Sequence, residues 1–591
     1  MSERGSKPMT RSSFVERIAV GEAAEGYLEA LIAQGVDCLF LNPGTDTFPV
    51  QEAAVKLRTL GRPVPRIVLC PFETVALAGA HGYYAATGRA QAVLVHVDVG
   101  TQNLGAMLHN AQRGRISVVI GAGRAPYTTD LGERGGRTDF IHWLQEQRDQ
   151  HGIVRNYVKW DYEVRRPDQV GEVVARAFQV AQSDPPGPVY LTLPREVLMA
   201  SPGEVQVYHP DKMAPGKMGG GDPEHLREVA RRLVQAERPV VITGFTGRSK
   251  AGYDGLLRLA ELLALPVLEW RDRVSFPADH PLHQGYGLAS GPLVESADLI
   301  LVLDSDVPYV PGQVNLAPDA TVIQIDLDPV KEQIPLWTFP LDLAIKADTA
   351  KALALLAEYA SDLLDADDRG RIAVRRGALA QRHTALREGW DREAQEQATD
   401  APIAPEWLGH CLDQLRRETP GLTFVEETVT NQITMAEQIA CTESGTWFKS
   451  GSSGLGWGLG AAMGVKLARP DQPVVALVGD GSFFFGAPLA AFWTAQTNNA
   501  PILAVILNNG CYNATKSPLL AAYPNGYSAQ GGDVLGVHLT PAPRYDKLAE
   551  VVGAYGERVT EPGEILPALR RGLEQVRSGT SAILDVILKP A

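Results

Sequence analysis

Short apolar runs alternate with amphipathic stretches along most of the chain. In the first third the runs are VDCLFLNPG, RIVLC, AQAVLVHVD, ISVVIGAG and PVYLTLP. Continuous apolar segments bounded by Gly, Pro, Asn or Asp are the pattern of strands covered on both faces of a parallel sheet. Before them, Glu16 to Gln34 repeats its apolar positions at helical spacing and is predicted to be an amphipathic helix. The alternation resumes with RPVVITGFTG, LPVLEW, ADLILVLDSD and ATVIQIDLDP between helical patterns over residues 224–236 and 251–264. It returns a third time with LTFVEE, QPVVALVGDG, APILAVILNNG and SAILDVILKP.

The expected fold class is α/β, with three Rossmann-like domains built on parallel sheets. Composition supplies the punctuation. A polar, flexible N-terminus is predicted over residues 1–17, then a first domain over 18–205. A linker over 206–223 follows, rich in Gly, Pro and Met, and a central domain spans 224–360. The charge-dense stretch that follows is predicted to be an exposed helical linker over 361–402, leading to a last domain over 403–591. A length of 591 residues accommodates three such units, and 45% hydrophobic with 21% charged residues is ordinary globular composition. The net charge of −14 argues against nucleic acid, which is bound through cationic neutralisation of phosphates. Five scattered cysteines without a CxxC suggest neither a zinc site nor a disulfide framework. The start has no apolar signal-like core, and no uncharged apolar run reaches the about 18 residues a span requires. The expectation is a soluble cytoplasmic protein that meets neither membrane nor nucleic acid.

Chemistry concentrates in residues 473–512, PVVALVGDGSFFFGAPLAAFWTAQTNNAPILAVILNNGCY. An apolar strand ends at Gly479-Asp480-Gly481-Ser482, a helix follows, and the next strand ends at Asn508-Asn509-Gly510. Open parallel sheets bind ligands at the carboxyl ends of their strands, so both clusters fall on one edge. A carboxylate and a carboxamide there suit Mg²⁺, a hard cation that also takes phosphate oxygens, and the N–H groups of Gly481 and the helix start offer themselves to phosphate. GDG and NNG also occur in ordinary turns; their pairing at successive strand ends favours chemistry.

In this pairing the chain resembles the thiamine-diphosphate-dependent enzyme superfamily, whose signature is GDG, a helix and a strand, then NN. The resemblance implies Mg²⁺ ligation by Asp480, Asn509 and the main-chain carbonyl of Cys511, with cofactor contacts from Gly479, Asp480, Gly481 and Ser482. The spacing from Asp480 to Asn509 is slightly longer than usual, the excess falling in FFFGAPLA. The superfamily also places a glutamate on the cofactor's aminopyrimidine, where it promotes loss of the thiazolium proton. The segment RIVLCPFETVALAGAHGYYAATG matches that part of the pattern at Glu73, Ala76, Gly82, Tyr83, Thr87 and Gly88, which makes Glu73 the implied activating residue. An acid stabilised at a helix N-terminus by the macrodipole would look the same. By position in KSGSSGLGWGLGAAMGVKLA, Leu455 is the implied wedge under the bent cofactor, with a plain core leucine as the alternative.

Among the branches, the chain is most similar to benzoylformate decarboxylase and its relatives. His96 to Ala111 (HVDVGTQNLGAMLHNA) follows H-x-x-x-G-T-x-N-x-x-x-x-L-x-N-A. Asn42-Pro43-Gly44-Thr45 resembles N-P-G-S, and Ala491-Phe492-Trp493-Thr494-Ala495 resembles A-L-W-T-A. The resemblance implies His96 as a proton-transfer residue and Thr45 as a hydroxyl toward the substrate carboxylate or developing alkoxide, although a histidine at a strand end is also often a satisfied core residue. The decarboxylase's second histidine has no counterpart, since the region reads SDVPYVPGQ with Tyr309 and Val310. Its aromatics after NN are replaced by Asn513 to Pro518. Ala514, Thr515, Gln102 and His109 are the candidates for the substrate pocket. The acetolactate synthase segment T-S-G-P-G-A-T-N is absent, and FFFGAPLAAFW lacks the acid of the 2-hydroxyacyl-CoA lyases, which leaves His96, His109 or Gln102 to carry a proton there. The central domain is left open between FAD, ADP, CoA and no ligand, because GFTGRSKAG (244–252) is not a G-x-G-x-x-G.

The implied function is thiamine-diphosphate- and Mg²⁺-dependent cleavage or formation of a C–C bond through an ylide and an enamine, as a non-oxidative 2-oxo acid decarboxylase or carboligase. An acetolactate synthase-like transferase, a 2-hydroxyacyl-CoA lyase and a non-catalytic cofactor-binding subunit are the alternatives. The resemblance further implies a homodimer with shared active sites, paired into a homotetramer.

Overall fold

The computed structural model describes residues 15–130, 132–287 and 291–590, and these group into two compact units divided between Gly216 and Lys217. The first unit contains β1 (Val15–Val20), β2 (Cys38–Leu41), β3 (Arg66–Leu69), β4 (Gln91–Val95), β5 (Val118–Arg124), β6 (Asp161–Glu163), β7 (Pro188–Pro194) and β8 (Gly203–Tyr208). Six of them form a parallel sheet in the order β3-β2-β4-β5-β7-β6. The chain steps from β2 outward to β3 and then returns to β4 on the other side, which opens a topological switch between β2 and β4. β2 and β4 are buried along their whole length, which is why they read as unbroken apolar runs.

β1 and β8 pair antiparallel in a separate two-stranded ribbon. The helix predicted from Glu16 therefore starts later, as Ala23–Ala33, opened by a capping box between Glu22 and Glu25. Residues 16–20 are claimed by a long-range partner, Gly203–Val207, which no local periodicity reveals. Of the flexible N-terminus predicted over 1–17, residues 1–14 lie outside the described residues and Val15–Arg17 belong to β1.

The second unit carries two further six-stranded parallel sheets. The central one is built from β9 (Pro239–Thr243), β10 (Val267–Glu269), β11 (His283–Tyr286), β12 (Leu299–Leu303), β13 (Thr321–Asp326) and β14 (Leu343–Lys346), in the order β11-β10-β9-β12-β13-β14. The last contains β15 (Thr423–Glu427), β16 (Trp447–Phe448), β17 (Val474–Gly479), β18 (Leu503–Asn508), β19 (Tyr555–Val559) and β20 (Ala582–Ile587), in the order β16-β15-β17-β18-β20-β19. Their switches lie between β9 and β12 and between β15 and β17. Leu226, Leu233, Leu256 and Leu259, from the helices Pro223–Gln235 and Lys250–Leu263, cluster with Val241, Leu301 and Ile323 of the central sheet. Each such buried side chain contributes about 1.5–3 kcal/mol.

The predicted linker helix is Ala366–Glu396, capped by Asp365 and Asp368, and it is more than a solvated spacer. Arg375 donates to the carbonyls of Ala236 and Glu237 and to those of Leu263 and Ala264, where two helices of the central layer end. Arg387 donates to the carbonyl of Glu437, beside the last sheet. Charges that look solvated in sequence thus satisfy helix C-termini. Among the described residues no helix is long and apolar enough to cross a membrane.

Candidate active site

In the last sheet, β17 ends at Gly479 and Asp480 opens a short helix. The Asp480 carboxylate accepts the N–H of Gly481 (2.8 Å) and that of Gly510 (2.7 Å), while burial pushes its pKa above the ordinary value against those two bonds. The Gly481 N–H, which the sequence offers to phosphate, is therefore already taken by the neighbouring carboxylate. A side chain at position 481 would meet the Tyr512 ring, since its Cβ would lie 2.4 Å from a ring carbon.

Strand alternation separates the two asparagines. Asn508, the last residue of β18, turns its amide to Asp585 (2.8 Å), whereas Asn509 faces a cavity of about 110 Å³ and accepts the N–H of Cys511 (3.0 Å). The Cys511 carbonyl accepts from Asn513 N–H (2.9 Å) and keeps a second lone pair; burial pushes the thiol pKa up. This one cavity brings together Leu455, Gly479, Asp480, Gly481, Ser482, Asn509, Cys511, Ala514 and Thr515. Thr428, Thr430 and Asn431, which the sequence reading did not single out, complete its polar wall. Among the described residues no three His, Cys, Asp or Glu gather around one point. One carboxylate amid hydroxyls and amides is a donor set for a hard cation completed by a ligand's own phosphate oxygens, so these residues fit a diphosphate with Mg²⁺.

Leu455 is held in place from β15. Glu427, buried, accepts the N–H groups of Gly456 (2.8 Å), Trp457 (3.0 Å) and Gly458 (2.9 Å), which open the helix Trp457–Ala468. Desolvation nevertheless pushes its carboxyl up to about 7. Val429, just beyond, has φ of 52°, a left-handed conformation costly for a β-branched residue.

The first unit builds its own edge around the β2/β4 switch. Glu73 begins the helix Glu73–Thr87, is buried, and accepts from the Asn103 amide (3.0 Å); a Cβ on Gly100 would lie 3.1 Å from its Oε1. His96 follows β4 with its Nδ1 in a short hydrogen bond to Asp46, which follows β2 and also accepts the Val97 N–H (3.2 Å). Two glycines make room for this pair. A Cβ on Gly44 would lie 2.0 Å from His96 Nδ1, and one on Gly123 would lie 1.4 Å from Asp46 Oδ2. Burial lowers the His96 pKa, but the bond to Asp46 and the charges of Asp46, Asp98 and Glu73 outweigh it and raise the value above that of ordinary histidine.

Thr45 is exposed next to Asp46, and its main-chain carbonyl accepts from Arg195 (3.1 Å). Gln102 bonds Asp98 (3.3 Å), which ties it to the same neighbourhood. His109 lies farther on, in the helix Gly105–Arg113, with its ring edge-on to Tyr157 and its pKa lowered by burial and by Arg113. Asp46, like Thr428, Thr430 and Asn431, is a residue that sequence reasoning missed.

In the central sheet, Tyr309 is a core residue packed edge-on against Phe339. The Gly-rich turn after β9 has a packing reason of its own: the Gly247 N–H donates to Ser275 Oγ (3.0 Å), and a Cβ there would lie 1.9 Å from the Val274 carbonyl oxygen.

Three family models match successive parts of the chain. Models of the thiamine pyrophosphate enzyme N-terminal TPP binding domain, central domain and C-terminal TPP binding domain match residues 22–153, 226–356 and 427–586. A probable acetolactate synthase large subunit of Methanocaldococcus jannaschii is 26% identical, covering 96% of this chain and 92% of its own length. Benzoylformate decarboxylase of Pseudomonas aeruginosa is 28% identical over 83% of this chain and 86% of its own. A probable 2-ketoarginine decarboxylase of the same organism is 27% identical over 95% and 93%. The crystal structure of benzoylformate decarboxylase from Polynucleobacter necessarius shares the fold, with a TM-score of 0.77 at 23% identity over 97% of this chain and 99% of its own. With a family model on each of its three sheets and a donor set that suits a diphosphate, the chain belongs to the thiamine pyrophosphate enzyme family.

Proposed function

We propose that the protein is a Mg²⁺-dependent, non-oxidative 2-oxo acid decarboxylase or carboligase. The observation that carries this reading is the Asp46–His96 couple beside Glu73 at the β2/β4 switch, a proton-transfer device at a sheet edge. Asp480, Asn509 and the Cys511 carbonyl would hold Mg²⁺ and through it the diphosphate, with Gly479, Gly481 and Ser482 around it; Leu455 would support the bend, and Glu73 would hold the proton of the aminopyrimidine end. Bound thiamine diphosphate supplies a carbon that adds to the substrate carbonyl and accepts the electron pair left when CO₂ departs. His96, with Nδ1 committed to Asp46, delivers a proton from Nε2. Thr45 orients the substrate carboxylate, and Gln102, His109, Ala514 and Thr515 line the approach.

Glu73 and Asp480 belong to different compact units, and we propose a homodimer, paired into a homotetramer, in which two chains complete each site. Mixing inactive Glu73→Gln chains with inactive Asp480→Ala chains would then restore activity in heterodimers. The test of the reaction is CO₂ release and product mass from a panel of 2-oxo acids, pyruvate included, with and without Mg²⁺ and thiamine diphosphate. Cofactor-dependent CO₂ release supports the reading, acetolactate as the dominant product from pyruvate moves it to the synthase branch, and no release from any acid overturns it.

A further inference from the structure

Thr45 and Asp46 are the two central residues of a tight turn over residues 44–47. The Thr47 N–H donates to the Gly44 carbonyl (3.2 Å) and the Gly44 N–H donates to Thr47 Oγ1 (3.0 Å), so the ends of the turn are tied together. A turn fixed at its ends keeps one internal freedom, rotation of the peptide between its central residues, which exchanges type I for type II geometry. Here that peptide joins Thr45 to Asp46. Its rotation would swing the Thr45 carbonyl to the opposite side and bring Asp46 to positive φ, a conformation Asp46 does not hold. The site would move with it, because the Asp46 carboxylate is bound to His96 Nδ1 and to the Val97 N–H (3.2 Å).

Arg195 holds this peptide. It follows β7, is 4% exposed, and sends its hydrogen bonds among the described residues to main-chain carbonyls alone: Nη1 to Thr45 (3.1 Å), Nε to Gly135 (2.8 Å) and Nη2, by a short bond, to Gly136. Its guanidinium carbon lies 5.4 Å from the centroid of the Phe48 ring. Burial lowers its pKa, and the charges of Glu196 and Asp46 act against that from farther away. The Gly135–Gly136 backbone is itself seated on the residues after β7. Gly135 has φ of 91°, a Cβ there would lie 2.9 Å from the Glu196 backbone, and Glu196 accepts the Thr128 N–H (3.0 Å). The guanidinium is thus oriented by two seated carbonyls and extends one arm to a third. A planar fork fixes the direction of the carbonyl it meets as well as its distance, which a single ammonium cannot do.

We propose that Arg195 is a positioning residue of the active site: by holding the Thr45 carbonyl it locks the Thr45–Asp46 peptide, and with it the Asp46 carboxylate against His96 and the Thr45 hydroxyl toward substrate. The part played by Thr45 rests on the decarboxylase reading above; the locking of Asp46 does not.

Arg195→Lys keeps the charge and gives up the fork, so a change at His96 reports geometry rather than field. In NMR of the full-length protein the His96 titration should move downward in Arg195→Lys, toward that of ordinary histidine, as the bond to Asp46 loosens. With a 2-oxo acid that the wild type turns over, kcat/KM should fall at least about tenfold, while calorimetry finds the Mg²⁺-dependent affinity for thiamine diphosphate within a few-fold of wild type. Arg134→Ala is the control. It cuts the tie beside the same glycines to Glu22 (2.7 Å) without touching Thr45, and should leave titration and turnover at wild-type values. Should thermal melts show that Arg195→Lys does not fold, Gly135→Ala carries the test: its Cβ forces the glycine turn off Glu196 and takes two of the three carbonyls with it, so the same downward movement is expected. A His96 titration unchanged in the folded variant, or moved as far by Arg134→Ala, overturns the proposal, as does kcat/KM that stays at the wild-type value or cofactor affinity that is lost in step. Downward movement of His96 where even the wild type turns over no 2-oxo acid keeps Arg195 as the lock on Asp46 and overturns the decarboxylase reading.

Discussion

After β2 and β4 the first sheet carries Asp46 and His96; at the end of β15 and just after β17 the last sheet carries Glu427 and Asp480. The topology is the same at both places, and so is a backbone feature: Val97 and Val429, both β-branched, hold positive φ beside the two switches. The chemistry differs. In the last sheet the carboxylates are satisfied by backbone N–H groups and set amid hydroxyls and amides, which suits a static cation and a diphosphate. In the first, a carboxylate meets an imidazole, a pair between which a proton can move, while the Asn103 amide holds the Glu73 carboxylate in place. The sheet supplies a place where side chains from non-adjacent strands converge, and the hydrogen-bond partners decide whether that place holds charge or transfers it.

The sharpest way to separate the two edges is to disable each with a near-isosteric change. Glu73→Gln keeps the bond to Asn103 and removes the charge, so turnover should fall by about 10²–10⁴ while cofactor affinity in calorimetry stays within a few-fold. The opposite split is expected of Asp480→Ala, which should weaken Mg²⁺-dependent binding of thiamine diphosphate more than about tenfold if Asp480 is the proposed ligand, because it is the one acidic side chain among the described residues lining that cavity. If Glu73→Gln abolishes cofactor binding, or Asp480→Ala leaves it intact, the two edges do not divide the work as proposed.

Legibility in the sequence followed the same line. Asp480 and Asn509 stand at the ends of adjacent strands, so the apolar runs placed both polar clusters at one sheet edge; the choice of Asn509 over Asn508 came from the family resemblance, and the structure shows Asn508 turned to Asp585. Asp46 was hidden because its meaning depends on β2 lying next to β4, with β3 on the far side, and that order is a tertiary fact. The glycines at 44 and 123 were the available signal, yet each reads as an ordinary turn or strand-end glycine until Asp46 and His96 are seen beside it. β1 was misread for a similar reason, its partner lying far along the chain at Gly203–Tyr208. The arginines of the Ala366–Glu396 helix were read as solvated because the carbonyls they cap belong to helices distant in sequence.

A smaller effect tests the proton-handling edge on its own. Asp46→Asn should lower turnover about tenfold and move the His96 titration in NMR downward, since burial remains and its main counterweight is lost. A histidine whose pKa rises on folding contributes stability in full below its unfolded value and loses it as pH rises through the folded one. The wild type should therefore gain stability over Asp46→Asn on the acid side of neutrality, with the gap closing as pH rises above the folded His96 pKa. A gap that widens with pH would remove Asp46 as the partner of a protonated His96.

The smallest expected effect separates the two strained valines. Left-handed φ costs a β-branched residue about 1–3 kcal/mol, and glycine removes that cost. Val429 is 38% exposed and stands at the cavity mouth, so Val429→Gly gives up little apolar burial; denaturation should find it unchanged or more stable by up to about 1 kcal/mol. Val97 has the same kind of backbone, with φ of 25°, but its side chain is fully buried, and losing it costs about 2 kcal/mol beyond what relief of strain returns in part. Val97→Gly should thus be net destabilising by about 1–2 kcal/mol. In both variants the neighbouring edge loosens, so activity should fall even where stability rises. Equal stability changes for the two substitutions would mean that the strain is not carried by the valine side chains, and that the two edges share a backbone shape for unrelated reasons.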